Sequence, residues 1–176
     1  MPDTDKPDPY KDAQLFIGVD PGPKVLGLVV YAVKPGDTLG TVILADGKAD
    51  PIRARQVIAT LAADRPIVVL EHTHPGPPSW AVIHTTVMLG RIWEYASIQE
   101  VQVFPAHRKG VKALLGNSDS AIRRTICELH GYNPETLHPA HEGRLHGVSL
   151  HAWQALAAVL FHIHKHHHPI IKEDTP

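Results

Sequence analysis

Two carboxylates, each closing an apolar run, are the residues of this chain best placed to do chemistry. Asp20 ends QLFIGVD and is followed by Pro-Gly-Pro-Lys, and Glu71 ends PIVVLE. If these runs are neighbouring parallel strands, both side chains leave the sheet at its carboxyl edge, where ligands collect in open α/β sheets. Like charges held that close repel, and a divalent cation is the usual remedy. Each has an ordinary explanation alone, since aspartate favours turns and a glutamate can simply solvate a strand end; the joint placement carries the signal. His151 and Gln154 stand three apart in a helical stretch and so project from one face of it. His107 to Arg124 sets Arg108, Lys109, Lys112, Arg123 and Arg124 against Asp119 alone, a local cationic patch able to neutralise phosphates.

The elements that must position these residues follow from periodicity and turn chemistry. Gln14 to Val33 reads as two β-rich runs around a Pro/Gly turn, a hairpin. Thr38 to Ala45 gives a third strand, turned by Asp46 and Gly47 into a helix over Ile52 to Asp64. Pro66 to Glu71 then reads as a buried strand parallel to the first. Trp80 to Ser97 carries an apolar stripe of helical period, and Glu100 to Phe104 a strand stopped by Pro105. Ala106 to Leu115 reads as a short helix ended at Gly116. Ser118 caps another helix running to His130, and Ser149 caps a last one from Leu150 to about His166. The order β-β-β-α-β-α-β-α-α predicts an α/β fold, a mixed sheet with crossover helices.

Composition bounds the class. With 176 residues, 43% hydrophobic and 20% charged, the chain reads as one globular domain with a sizeable core. Residues 1–13 read as a polar tail, 14–166 as the domain and 167–176 as a second tail. Cys127 is the lone cysteine, which excludes a disulfide framework and a cysteine-rich zinc site. The N-terminus has neither a basic nor an apolar targeting segment and no stretch is long enough to span a membrane, so a cytoplasmic protein is expected. A net charge of −1 gives no global basic signal, so any nucleic-acid surface must be local. The tail His162 to His168 lies about three helical turns from His151, too far to share a site with it.

Four segments in order, IGVDPGPKVLGLVVY, VVLEHTH, FPAHRKGVKALLGNSDSAIRRTI and HAWQALAAVL, resemble the RuvC family of Holliday-junction resolvases. The resemblance covers about residues 14–163, and a phage or mobile-element branch of the family fits the tail and the linker 131–147. It implies a ribonuclease H-like fold with a five-stranded mixed sheet flanked by helices. It also implies a crossover junction endonuclease, a homodimer that takes branched DNA and uses Mg²⁺ or Mn²⁺, two ions per site. The family's metal ligands and catalytic residues fall on Asp20, Glu71, His151 and Gln154, with Asp20 bridging the ions and Gly22 admitting the phosphate. DNA contacts fall on Arg108, Lys109, Lys112, Arg123 and Arg124. His74 and Trp80 become stacking candidates in the loop where the family carries a junction-opening wedge.

Gln154 departs from the family, which carries an aspartate there. A neutral amide weakens the second metal position, leaving His146, Glu142 or Asp119 as groups that could complete it. Mn²⁺ gains ground over Mg²⁺ with N and amide O ligands, and His151 becomes an alternative general base with one ion. The same departure motivates a second reading, a catalytically weak or inactive protein that binds branched DNA. A third, DPGPKVLG as the phosphate loop of an actin-like ATPase, is disfavoured because such enzymes need two halves.

Overall fold

The computed structural model describes residues 10–72, 77, 79–135 and 143–171. Strand β1 (Gln14–Pro21) returns as β2 (Leu26–Val33), antiparallel, with Pro21 opposite Leu26. The Gly22 N–H donates to the Val25 carbonyl at 3.1 Å to close the turn. A Cβ on Gly22 would lie 2.5 Å from that oxygen, so the turn itself requires glycine there. Strand β3 (Thr41–Ala49) pairs antiparallel with β2, with register shifts on either side of Leu28–Val30. It does not stop at Ala45, because Asp46 and Gly47 form an irregularity within the strand rather than a turn. The Asp46 carboxylate accepts from the Lys48 N–H at 2.9 Å.

Helix α1 (Pro51–Leu61) begins with proline in its first turn and Asp50 as N-cap, whose side chain accepts from the Arg53 N–H, the expected chemistry of a helix start. It crosses over to β4 (Ile67–His72), parallel to β1. Helix α2 (Trp80–Ile98) is capped by Ser79 and leads to β5 (Gln102–His107), parallel to β4. The sheet order is β3-β2-β1-β4-β5, a five-stranded mixed sheet. β5 runs through Pro105 instead of ending before it: it is an edge strand, where a missing N–H is tolerated. Helix α3 (Arg108–Leu115) therefore starts two residues later than its sequence suggests, followed by α4 (Asp119–Leu129) and α5 (Ala152–His166).

Alternation along the strands divides the core in two. Ile17, Val19, Leu28, Val30, Val68 and Leu70 pack under α1 and α2, while Phe16, Val29, Tyr31, Ile67 and Val69 pack under α3, α4 and α5. Helix α5 is buried without a break from Ala152 to Leu160, as a helix apolar almost all round must be. It lies directly on the hairpin because glycines face it. A Cβ on Gly18 would lie 2.3 Å from the Ala155 carbonyl, and one on Gly27 2.1 Å from the His151 carbonyl.

Candidate active site

The period of two that sorts the core also sorts the carboxylates. Asp20 shares the α5 face with Phe16 and Gly18, and Glu71 shares it with Ile67 and Val69. The β1–β4 ladder ends on the pair Val19–Leu70, so Asp20 and Glu71 are the next residues along, side by side at the carboxyl edge. Glu71 is fully buried at its side chain and that of Asp20 is 14% exposed. Burial, first, and then the Asp20 charge push the Glu71 carboxyl up to about 7 from 4.5; Arg108 opposes the shift. Burial likewise raises Asp20, against the pull of His151.

His151 stands at the N-cap of α5, where its side chain makes no capping bond. Its Nδ1 lies 3.2 Å from Asp20 Oδ2 instead. The helix begins at Ala152 rather than Leu150, since Leu150 adopts a left-handed φ of 45° that reverses the chain into the helix. Gly27 is the β2 partner of Asp20, and its missing Cβ is what seats His151 beside that carboxylate. This residue was not singled out in the sequence; its signal was a glycine inside an otherwise apolar strand.

Arg108 stands elsewhere than on the cationic surface where its sequence placed it. β5 pairs with β4 through Glu71–Ala106 and His72–His107, so the next residue reaches over the carboxyl edge. The Arg108 Nη1 donates to Glu71 Oε1 and to Gln154 Oε1, the latter at 3.3 Å, while Nη2 donates to Asp119 Oδ1 at 2.8 Å. One guanidinium thus joins β4, α5 and the first residue of α4. Gln154 is 6% exposed and adjoins the site through this bond.

The donors are held by internal partners, His151 on Asp20 and Arg108 on Glu71. Among the described residues no group of three or more His, Cys, Asp or Glu closes around one point. Glu71 Oε2 is nonetheless buried with no hydrogen-bond partner, an orphan costly to leave unpaired. With Asp20 on the neighbouring strand and His151 against Asp20, the donor chemistry suits one hard cation at that oxygen.

A cleft of about 750 Å³ opens from this site, lined by Arg123, Arg124, Ser149, Leu150, His151 and Gln154 among others. Arg123 stacks on Trp153 with its guanidinium carbon 5.4 Å from the ring centre. Lys109 and Arg124 are exposed and Lys112 is half-buried. His74 and Glu142 lie outside the described residues, and Trp80 is 57% exposed, stacked on His84. Asp119 is engaged with Arg108 rather than free for a metal shell. His162 is buried among Phe16, Phe104, His166 and His167, beside the start of β1 and away from Asp20.

No family model matches the chain, and no curated protein matches it. Its fold has solved neighbours. RuvC of Thermus thermophilus in complex with a Holliday junction substrate superposes with a TM-score of 0.62 at 22% identity, covering 85% of this chain and 92% of that one. A second Thermus thermophilus RuvC structure gives 0.62 at 21% identity over 85% and 93%. The chain has a RuvC-like, ribonuclease H-like fold. No described helix is long and apolar enough to cross a membrane.

Proposed function

We propose that this chain is a divalent-metal-dependent endodeoxyribonuclease that resolves four-way or other branched DNA junctions by paired symmetric nicks. The observation that carries the reading is the pair Asp20 and Glu71, neighbours at the carboxyl edge with one buried oxygen unsatisfied and His151 against Asp20. The RuvC-like fold supports it, since one neighbour was solved on a Holliday junction substrate.

Asp20, Glu71 Oε2 and His151 would hold Mg²⁺ or Mn²⁺, which when bound lowers the pKa of water and offsets phosphate charge. In the hydrolysis, the oxygen of water bonds to phosphorus as the bond from phosphorus to the 3′ oxygen breaks. The proton leaves the water and the 3′ oxygen ends as a hydroxyl. Where Asp20 and Glu71 alone hold the ion, His151, half exposed at its side chain, would instead accept that proton on the ring nitrogen not engaged with Asp20. Arg123 and Arg124 line the cleft and, with Lys109 and Lys112 of α3, supply phosphate contacts.

A four-way junction needs two cuts related by a two-fold axis, which a homodimer supplies. Helix α2 leaves Trp80, Ile83, Val87 and Ile98 exposed, an apolar face suited to a second copy. Its place is the cytoplasm of a bacterium or phage-infected cell, in a phage or mobile-element branch of such resolvases.

A second reading, a junction-binding protein with little or no cleavage, is favoured by Arg108 sitting on Glu71 and by the neutral Gln154. Incubating a labelled four-way junction and a linear duplex of the same sequence with Mg²⁺ or Mn²⁺ separates the two. Nicks on the junction alone, lost in Asp20→Asn, support the nuclease. Tight junction binding without nicks leaves the second reading, and binding to neither sinks both.

A further inference from the structure

We infer that the site takes a single divalent cation, and that the Arg108 guanidinium permanently occupies the place of a second. The inference rests on the metal-dependent reading above and replaces the two ions that the family resemblance implies with one ion and one built-in cation.

Three observations carry it. Glu71 divides its oxygens: Oε1 accepts from Arg108, while Oε2 is buried with no hydrogen-bond partner. One carboxylate thus offers one position to an internal cation and one to an ion from solution. Next, Gln154 Oε1 faces the same guanidinium nitrogen at 3.3 Å. A carbonyl oxygen turned toward a donor is engaged with the arginine rather than waiting for a metal. Gln154 and Arg108 are matched, because the amide oxygen accepts from the guanidinium and adds no charge.

Finally, Arg108 is built in. It follows the last paired residue of β5, its side chain is 26% exposed, and Asp119 grips its other nitrogen at 2.8 Å. Moving it out would strand the fully buried Glu71 carboxylate, and breaking a buried pair from one side is strongly destabilising.

Charge agrees with the geometry. With a cation bound, Asp20, Glu71 and Asp119 are ionised against Arg108, which leaves two negative charges, and one divalent ion neutralises them. A second ion would leave the same half-buried cluster with two positive charges, a cost that grows as the local dielectric falls. Three of the Arg108 N–H groups are committed, and the guanidinium stays charged throughout, so it acts on the phosphate as a fixed charge.

The test is the Mn²⁺ stoichiometry of the full-length chain without DNA, by calorimetric titration and by electron paramagnetic resonance. One ion per chain is expected, with a mononuclear six-line spectrum that persists to saturation and shows no exchange coupling. Arg108→Lys, which keeps the charge, stays at one ion. The double variant Arg108→Ala with Gln154→Asp frees the second place and restores an acidic ligand, so it takes two ions with an exchange-coupled spectrum. Two coupled ions in the unaltered chain overturn the inference, and so does no binding at all. If the double variant fails to fold, as circular dichroism will show, the unaltered chain and Arg108→Lys still decide the matter. One bound ion without junction cleavage leaves this inference standing while the nuclease reading falls.

Discussion

Removing the Glu71 charge will stabilise the metal-free protein. Glu71 is fully buried, and its carboxyl is pushed up to about 7 from 4.5, chiefly by burial and next by Asp20. Between those values the folded chain holds a proton that the unfolded chain has released. Metal-free stability therefore falls as pH rises from 4.5 to about 7 and is level above. The gap corresponds to about 3 kcal/mol at about 1.36 kcal/mol per pH unit. Glu71→Gln keeps the shape and an oxygen for Arg108 to donate to, while the arginine retains Asp119.

At pH 8 in EDTA the variant should gain up to about 3 kcal/mol, or about 6–12 °C in Tm for a chain of this size. At pH 4 the gain should vanish, because the glutamate is then neutral in both states. Saturating Mn²⁺ at a hundredfold excess over its Kd should raise the original protein by about 2.7 kcal/mol and the variant by less. Thermal unfolding followed by circular dichroism at the two pH values, with and without Mn²⁺, reads all of this. A variant no more stable than the original at pH 8, or equally favoured at pH 4, would refute the reasoning.

Mn²⁺ affinity should fall about tenfold for each pH unit below about 7, because binding must displace the Glu71 proton; titration calorimetry from about one and a half units below that value to about one unit above it checks the slope. Gly27→Ala would put a Cβ 2.1 Å from the His151 carbonyl, so it should cost about 1–3 kcal/mol and move His151 off Asp20; denaturant unfolding and cleavage rates will show both losses together. Ile83→Glu with Val87→Glu places charges on the exposed face of α2 and, if that face joins the proposed homodimer, should give a monomer in sedimentation where the original chain sediments as a dimer, without lowering Tm. Arg124→Ala, at the cleft, should weaken junction and duplex binding alike and reduce the salt slope by about 1, read by fluorescence anisotropy at several salt concentrations.

Much of the scaffold was legible because it follows from local rules. The hairpin, the crossover to Glu71 and the apolar α5 rest on alternation, helical spacing and a Pro/Gly turn, and these placed Asp20 and Glu71 on adjacent parallel strands. Boundaries failed where tertiary context outweighed a local signal. Pro105 ends a strand only if its N–H is needed, and at the edge of the sheet it is not. Asp46 and Gly47 make a turn in isolation, but here they form an irregularity that stays paired to β2.

The role of Arg108 was out of reach for a different reason. In sequence it is one of five cations in a patch, and only the register of β5 against β4 swings it over Glu71. Gln154 was visible as a departure, yet its partner was not, because α5 and β5 meet only in three dimensions. The close approach of α5 at Gly18 and Gly27 likewise depends on which sheet face the helix covers.

On the proposed function, Asp20, Glu71 and His151 form a hydrolytic site for branched DNA. The most direct test labels each of the four strands of a junction in turn and maps the ends produced with Mn²⁺ on a sequencing gel, using the original protein and Asp20→Asn. Nicks on two opposed strands at symmetric positions, with 3′ hydroxyl ends and none from Asp20→Asn, are the predicted result. Intact strands throughout, or the same nicks from Asp20→Asn, would contradict it.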